Sequence, residues 1–112
     1  MRLSQKQCLF TQYVGMLICW AGDSGYHIAG REWQRTLAQQ HIHIASGRSQ
    51  STDSLHLDSL AIDFVLYING IYQTDWHPYE PLGVYWETLD PHNVWGGRWP
   101  GLRDGGHFEY RG

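Results

Sequence analysis

Leu60-Ala61-Ile62-Asp63-Phe64-Val65-Leu66-Tyr67-Ile68, followed by Asn69-Gly70 and then Ile71-Tyr72-Gln73-Thr74, is the stretch that decides the fold class. Leu60, Ile62, Phe64, Leu66 and Ile68 alternate with Ala61, Asp63, Val65 and Tyr67. That period of two belongs to a strand whose faces meet different surroundings. Asn-Gly is the strongest short hairpin signal, because both central residues of a type I′ turn take positive φ. Strand 60–68 is therefore predicted to turn back and pair with 71–74.

Working outward, Ser4 is the predicted N-cap of a first helix. Leu9, Phe10, Tyr13, Val14, Leu17, Ile18 and Ala21 recur at helical spacing in it. Gly22-Asp23-Ser24-Gly25 closes that helix, and Tyr26–Ala29 reads as a short strand. A second helix of weaker amphipathicity is predicted from Trp33 to Ala45, followed by a polar loop over 46–54. Downstream, a short helix is predicted within Tyr79–Leu89, broken or started near Pro81. The Gly-, Pro- and Trp-rich tail from Asp90 ends in a last strand at His107–Tyr110. The expectation is one α+β domain over residues 1–112, with N-terminal helices packed on a small antiparallel sheet.

The composition of the 112-residue chain, 42% hydrophobic and 14% aromatic, supplies a core and excludes wholesale disorder. A formal charge of −3 leaves no basic footprint for nucleic acid or an anionic membrane. No apolar run approaches the roughly eighteen residues of a membrane span. Met1-Arg-Leu-Ser-Gln-Lys-Gln has neither the apolar stretch nor the small-residue cleavage site of a secretory signal. Cys8 and Cys19, eleven positions apart, lie on one helix face but about 16 Å apart along its axis. They read as two reduced core thiols in a cytoplasmic protein, expected to be a monomer.

Seven His and six Trp in so short a chain direct attention to a site. Asp63 stands on the minority face of its strand, and an unpaired buried carboxylate costs several kcal/mol unless a cation meets it. His56, just before the strand, reaches the same point if its loop folds back. His107, at the start of the last strand, supplies a third donor. Two imidazoles and a carboxylate with an open fourth position make a catalytic type of zinc site. Asp104, three residues before His107, is placed to take a proton from water activated there. Each piece has a plainer reading by itself: a structural histidine, or an Asp before Gly-Gly acting as a turn former.

Ser54-Leu55-His56, Leu60-Ala61-Ile62-Asp63 and Asp104-Gly105-Gly106-His107-Phe108-Glu109 together resemble the signature of one peptidase family. It is the zinc D-alanyl-D-alanine carboxypeptidase and L-alanyl-D-glutamate endopeptidase family, VanX- and VanY-like, and most of all its small phage endolysins. Ser4-Gln-Lys-Gln, Arg35-Thr36, Leu82-Gly83, Trp86-Glu87 and Trp95-Gly96-Gly97 extend the likeness over nearly the whole chain. The resemblance implies a hedgehog/D-Ala-D-Ala peptidase-like fold with one zinc per chain, held by His56, Asp63 and His107. It makes Asp104 the catalytic carboxylate and Arg35 a substrate-binding cation that polarises the scissile carbonyl. Ser54 would contact the peptide, and Glu109 would support a ligand from behind.

The implied substrate is a stem-peptide amide of peptidoglycan, with the L-Ala–D-Glu bond favoured over removal of a terminal D-Ala. The implied setting is the host bacterial cytoplasm, with action on the wall after release. A non-catalytic, zinc-containing wall-binding module is the competing class, and the intact Asp104 speaks against it. One departure stands out: Ser59 occupies a position where the family usually has Gly, which costs about 1 kcal/mol if φ is positive there.

Other residues invite the same chemistry less well. His41 and His43 would point apart on a helix. His27, His77 and His92 read as loop or surface residues. Trp76, Trp86, Trp95 and Trp99 read as core closure rather than as a sugar-stacking platform.

Overall fold

The computed structural model describes residues 1–33 and 58–112. Helix α1 spans Leu3–Asp23 and buries Phe10, Val14, Leu17 and Ala21, the stripe expected from the sequence. Its N-cap is Arg2 rather than Ser4. The Gln5 side-chain carbonyl accepts the Arg2 backbone N–H at 2.8 Å and starts the helix two residues early. At the other end, the N–H of Tyr26 reaches the Ala21 carbonyl at 2.8 Å, and that of Gly25 reaches Gly22 at 3.1 Å. With Gly25 left-handed at φ +84°, this is a Schellman stop.

Both cysteines are free and exposed, which corrects the expectation of core thiols. They do share a face, but it lies on the far side of α1 from Phe10 and Val14. Cys8 and Phe10 are two positions apart, about 200° around the helix.

Strand β1 (His27–Gly30) pairs antiparallel with β2 (Ala61–Ile68), which turns through Asn69-Gly70 into β3 (Ile71–Tyr72). Asn69 and Gly70 have φ of +52° and +76°, as a type I′ turn needs. The return strand is shorter than the predicted 71–74, although the Gln73 N–H still bonds the Leu66 carbonyl. A 3₁₀ turn over His77–Tyr79 leads into α2 (Glu80–Leu89), with Pro81 in its first turn, where a missing N–H costs nothing. Strand β4 (Asn93–Trp95), which was not expected, runs into a second 3₁₀ turn over Gly96–Arg98. Strand β5 (His107–Tyr110) falls where it was predicted. The sheet order is β1-β2-β5-β4, with β3 also on β2, and every pairing is antiparallel. The predicted helix at Trp33–Ala45 lies, after Trp33, outside the described residues, as does the loop over 46–54.

Alternation assigns the sheet two different faces. Leu60, Ile62, Phe64 and Leu66 share one face with Phe108, Tyr110 and Trp95, through the pairs Ile62↔Phe108 and Trp95↔Phe108. Those residues form the core together with Phe10, Val14 and Leu17 of α1 and Leu82 and Trp86 of α2. Edge-to-face contacts of Trp86 with Phe10 (5.7 Å) and Phe108 (5.9 Å) join α2 to α1 and to the sheet. The buried indole N–H of Trp86 is shared between the carbonyls of Val94 and Glu109. The opposite face carries Ala61, Asp63 and Val65 of β2 and His107 and Glu109 of β5.

Candidate active site

The antiparallel register sets Asp63 directly across from His107, and Ala61 across from Glu109. Cross-strand neighbours on one face lie about 4.5–5.5 Å apart at Cβ, so the register alone brings the carboxylate to the imidazole. The Asp63 backbone is fixed from the other side: its N–H donates to Glu32 and its carbonyl accepts from Arg31, at 2.9 and 2.8 Å.

Asp104 reaches the same point from the loop before β5. Its N–H bonds the Gly96 carbonyl at 3.0 Å, and its own carbonyl accepts the His107 N–H at 3.3 Å. A side chain at Gly96 would put its Cβ 2.4 Å from the Asp104 carbonyl oxygen and 3.0 Å from His107 Cβ. Gly106 is equally constrained: its carbonyl accepts the Phe64 N–H at 2.8 Å, while a Cβ there would stand 2.3 Å from the Phe64 oxygen. The Asp-Gly-Gly run is thus more than a turn, since it lets two backbones touch beside the acid.

One potential ligand atom from each of Asp63, Asp104 and His107 lies within 4.8 Å of the others, a group that can hold a metal ion. Asp104 is exposed, Asp63 half-buried and His107 buried. His107 Nδ1 faces Asp63 Oδ1 at 3.2 Å, and Nε2 faces Glu109 Oε1 at 2.6 Å. Glu109, 4% exposed, also accepts from the Arg111 guanidinium. Burial pushes the His107 imidazole down, but the Asp63 and Glu109 carboxylates outweigh it and hold its pKa up at about 9. Burial likewise pushes the Glu109 carboxyl up, and His107 and Arg111 together hold it below its ordinary value.

These contacts test whether the donors suit a metal. With Nε2–H donating to Glu109, Nδ1 of the neutral ring directs a lone pair at an Asp63 carboxylate oxygen. Two lone pairs at that distance require something positive between them, a proton or a metal cation. A carboxylate behind the ring, a ligating nitrogen in front and oxygen donors beside it form the usual surroundings of a zinc-bound histidine. The residues fit.

Of the residues singled out in the sequence, Asp63, Asp104, His107 and Glu109 are brought together. His56, Ser54 and Arg35 lie outside the described residues, as do His41 and His43. Ser59 has φ +56°, so its conformation is one that glycine adopts more easily. Trp86 and Trp95 are fully buried, which excludes them from a stacking platform. Trp76 and Trp99 are half-buried, and the Trp99 ring lies 4.8 Å from that of His107. His27, His77 and His92 are exposed, though His92 bonds Asp90 at 2.9 Å. The roles of Trp99 and Arg111 have no sequence signal, since each depends on contacts that periodicity does not report. Gly96 is marked only by the Trp95-Gly96-Gly97 resemblance, which does not say what the glycine does.

The profile of the D-alanyl-D-alanine carboxypeptidase family matches residues 47–110. An L-alanyl-D-glutamate peptidase of Listeria phage A118 is 32% identical over 101 residues, which make up 86% of this chain and 35% of the relative. The chain thus spans about a third of that protein's length. The crystal structure of the Serratia marcescens L-Ala D-Glu endopeptidase ChiX superposes with a TM-score of 0.66 at 29% identity, covering 77% of this chain and 68% of that one.

Proposed function

Because this chain belongs to the D-alanyl-D-alanine carboxypeptidase family, we propose that it is a zinc-dependent peptidase cleaving a stem-peptide amide of the bacterial cell wall, the L-alanyl-D-glutamate bond. The observation that carries this reading is the Asp63–His107–Asp104 cluster with Glu109 behind the His107 ring. Zinc held there by Asp63, His107 and His56 would supply Lewis acidity, activating water and polarising the scissile carbonyl.

The chain's own groups do the rest. Asp63 and His107 Nδ1 present donors on one sheet face, and Glu109 keeps the His107 proton on Nε2 so that Nδ1 stays a donor. Asp104, exposed and within 4.8 Å of both, accepts a proton from the attacking water and returns it to the leaving amine. Arg35 steadies the developing negative charge on the carbonyl oxygen, and Ser54 holds the peptide.

The family description names a carboxypeptidase, whereas both relatives are named for the L-Ala–D-Glu bond, which favours the endopeptidase. Mass spectrometry of products from purified wall separates the two, because the released fragments differ.

The decisive variant is Asp104→Asn. With Asp104 as base, hydrolysis falls by about a hundredfold or more, while metal analysis still finds one zinc per chain. If zinc is lost as well, Asp104 is a ligand. If hydrolysis persists, the base is elsewhere.

A further inference from the structure

Three arginines fall in the last fifteen residues, and they are used differently. Arg98 makes a 2.8 Å ion pair with Glu87, and Arg111 pairs with Glu109. Arg103 lies over the face of Trp76, 4.0 Å from the ring centroid. Among the described residues, no carboxylate stands within ion-pair distance of it.

The Trp76 ring is itself well anchored. It lies 6.2 Å from Trp95, whose indole N–H bonds the Gly105 carbonyl at 2.7 Å. The Trp76 Cα lies 2.7 Å from where a Gly105 Cβ would be. Trp76 thus abuts the residue after Asp104, and Arg103 is the residue before it. The result is an exposed guanidinium, held by an aromatic face, on the backbone that carries the acid. Cation–π contact steadies the guanidinium while leaving its N–H edge free for a bidentate carboxylate.

We propose that Arg103, held over Trp76 beside Asp104, binds a free carboxylate on the leaving-amine half of the peptide and thereby selects an acidic residue there. This rests on the peptidase reading above. Asp104 returns its proton to the leaving amine, and Arg103 precedes Asp104 on the same backbone, with Trp76 abutting Gly105 after it. The proposal therefore places the guanidinium on the leaving-amine side of the cut. In an L-alanyl-D-glutamate bond the residue carrying that amine is glutamate, which bears a carboxylate close to the cut.

The test compares two synthetic peptides containing one L-alanyl-D-glutamate bond, with the glutamate carboxylate nearest the bond free in one and amidated in the other. The zinc-loaded native chain should cleave the acidic peptide with a kcat/KM about tenfold or more above the amide. Arg103→Gln should raise KM for the acidic peptide by about tenfold, with kcat, zinc content and cleavage of the amide unchanged. Arg103→Lys should recover part of the loss. Equal slowing of both peptides, or of neither, overturns the proposal, since a merely structural arginine does not discriminate a carboxylate from an amide. If the native chain with full zinc cleaves neither peptide, the peptidase reading itself fails and the selectivity falls with it.

Discussion

Ser59 sits at φ +56° immediately before β2. The left-handed region costs a residue with a Cβ about 1–2 kcal/mol, and glycine gives back about 0.5–1 of that through its looser unfolded chain. Ser59→Gly should therefore raise the unfolding free energy by roughly 0.5–1 kcal/mol. Ser59→Val, β-branched in the same conformation, should lower it. Urea midpoints at unchanged m-value would show both, and equal midpoints for all three chains would remove the strain argument. Backbone conformation thus accounts for glycine at this position in the resembling family, and a cost this small explains how serine is tolerated. The same scale shows what is legible in the sequence. Asp63 announced itself as a carboxylate on the apolar strand's minority face, and the register confirms that it faces His107. The cysteines misled because spacing shows that two residues share a helix face, not which face is buried.

Element by element, β2 and its hairpin are readable because each carries its own signal, alternation or Asn-Gly. Strand β4 is not, since Asn93–Trp95 is too short for a period to show and lies in a Gly- and Trp-rich stretch. Its partner β5 makes it a strand, through Asn93↔Tyr110 and Trp95↔Phe108. That pairing matters for the site, because β4 delivers the 3₁₀ turn whose Gly96 carbonyl holds the Asp104 N–H. Arg98 in that turn makes a bidentate ion pair with Glu87 of α2, fixing the turn against the helix layer. With 53% and 31% of the two side chains exposed, the pair adds little to global stability, typically under about 1 kcal/mol. Gly96→Ala attacks the same arrangement sterically. Its Cβ would meet the Asp104 carbonyl at 2.4 Å, so the loop must move to admit it. The expected result is a folded chain whose zinc affinity and hydrolysis both fall by about tenfold or more, since ligand and base sit on the displaced backbone. Circular dichroism with equilibrium dialysis against zinc would check it. Unchanged affinity and rate would mean that the loop accommodates the methyl without moving Asp104 or His107.

On the scale of the whole molecule, among the described residues α1 and α2 cover one face of the sheet and Asp63, His107 and Glu109 lie on the other, so stability and chemistry are spatially separable. The clasp between α1 and the end of α2 lies on the stability side. Tyr13 of α1 donates to Asp90 Oδ2 at 2.7 Å, just past the end of α2, and Asp90 also accepts the His92 backbone N–H at 2.8 Å. The Asp90 bond, helped by burial, raises the Tyr13 phenol to about 12 from an ordinary value of 10.0. Burial pushes the Asp90 carboxyl up, but the His92 N–H, the Tyr13 hydroxyl and the His92 ring outweigh it, leaving it below its ordinary 3.8. The signs follow from which state binds more protons. A lowered Asp90 stabilises the fold above the ordinary carboxyl value, and that contribution is lost as pH falls through the folded value. A raised Tyr13 stabilises below pH 10, and its contribution is lost as pH climbs from there through about 12. Tyr13→Phe should therefore cost about 1 kcal/mol from roughly pH 5 to 9, with the difference from the native chain shrinking at both extremes. Urea denaturation of both chains across pH provides the measurement, and a difference that stays constant into acid or alkali would deny the clasp its charge. Because the Tyr13 ring packs against Trp86 and Tyr110 on the helix-covered face of the sheet, opposite Asp63 and His107, Tyr13→Phe should leave zinc content and peptide hydrolysis at neutral pH unaltered. A fall in either would mean that the two faces of the sheet are coupled.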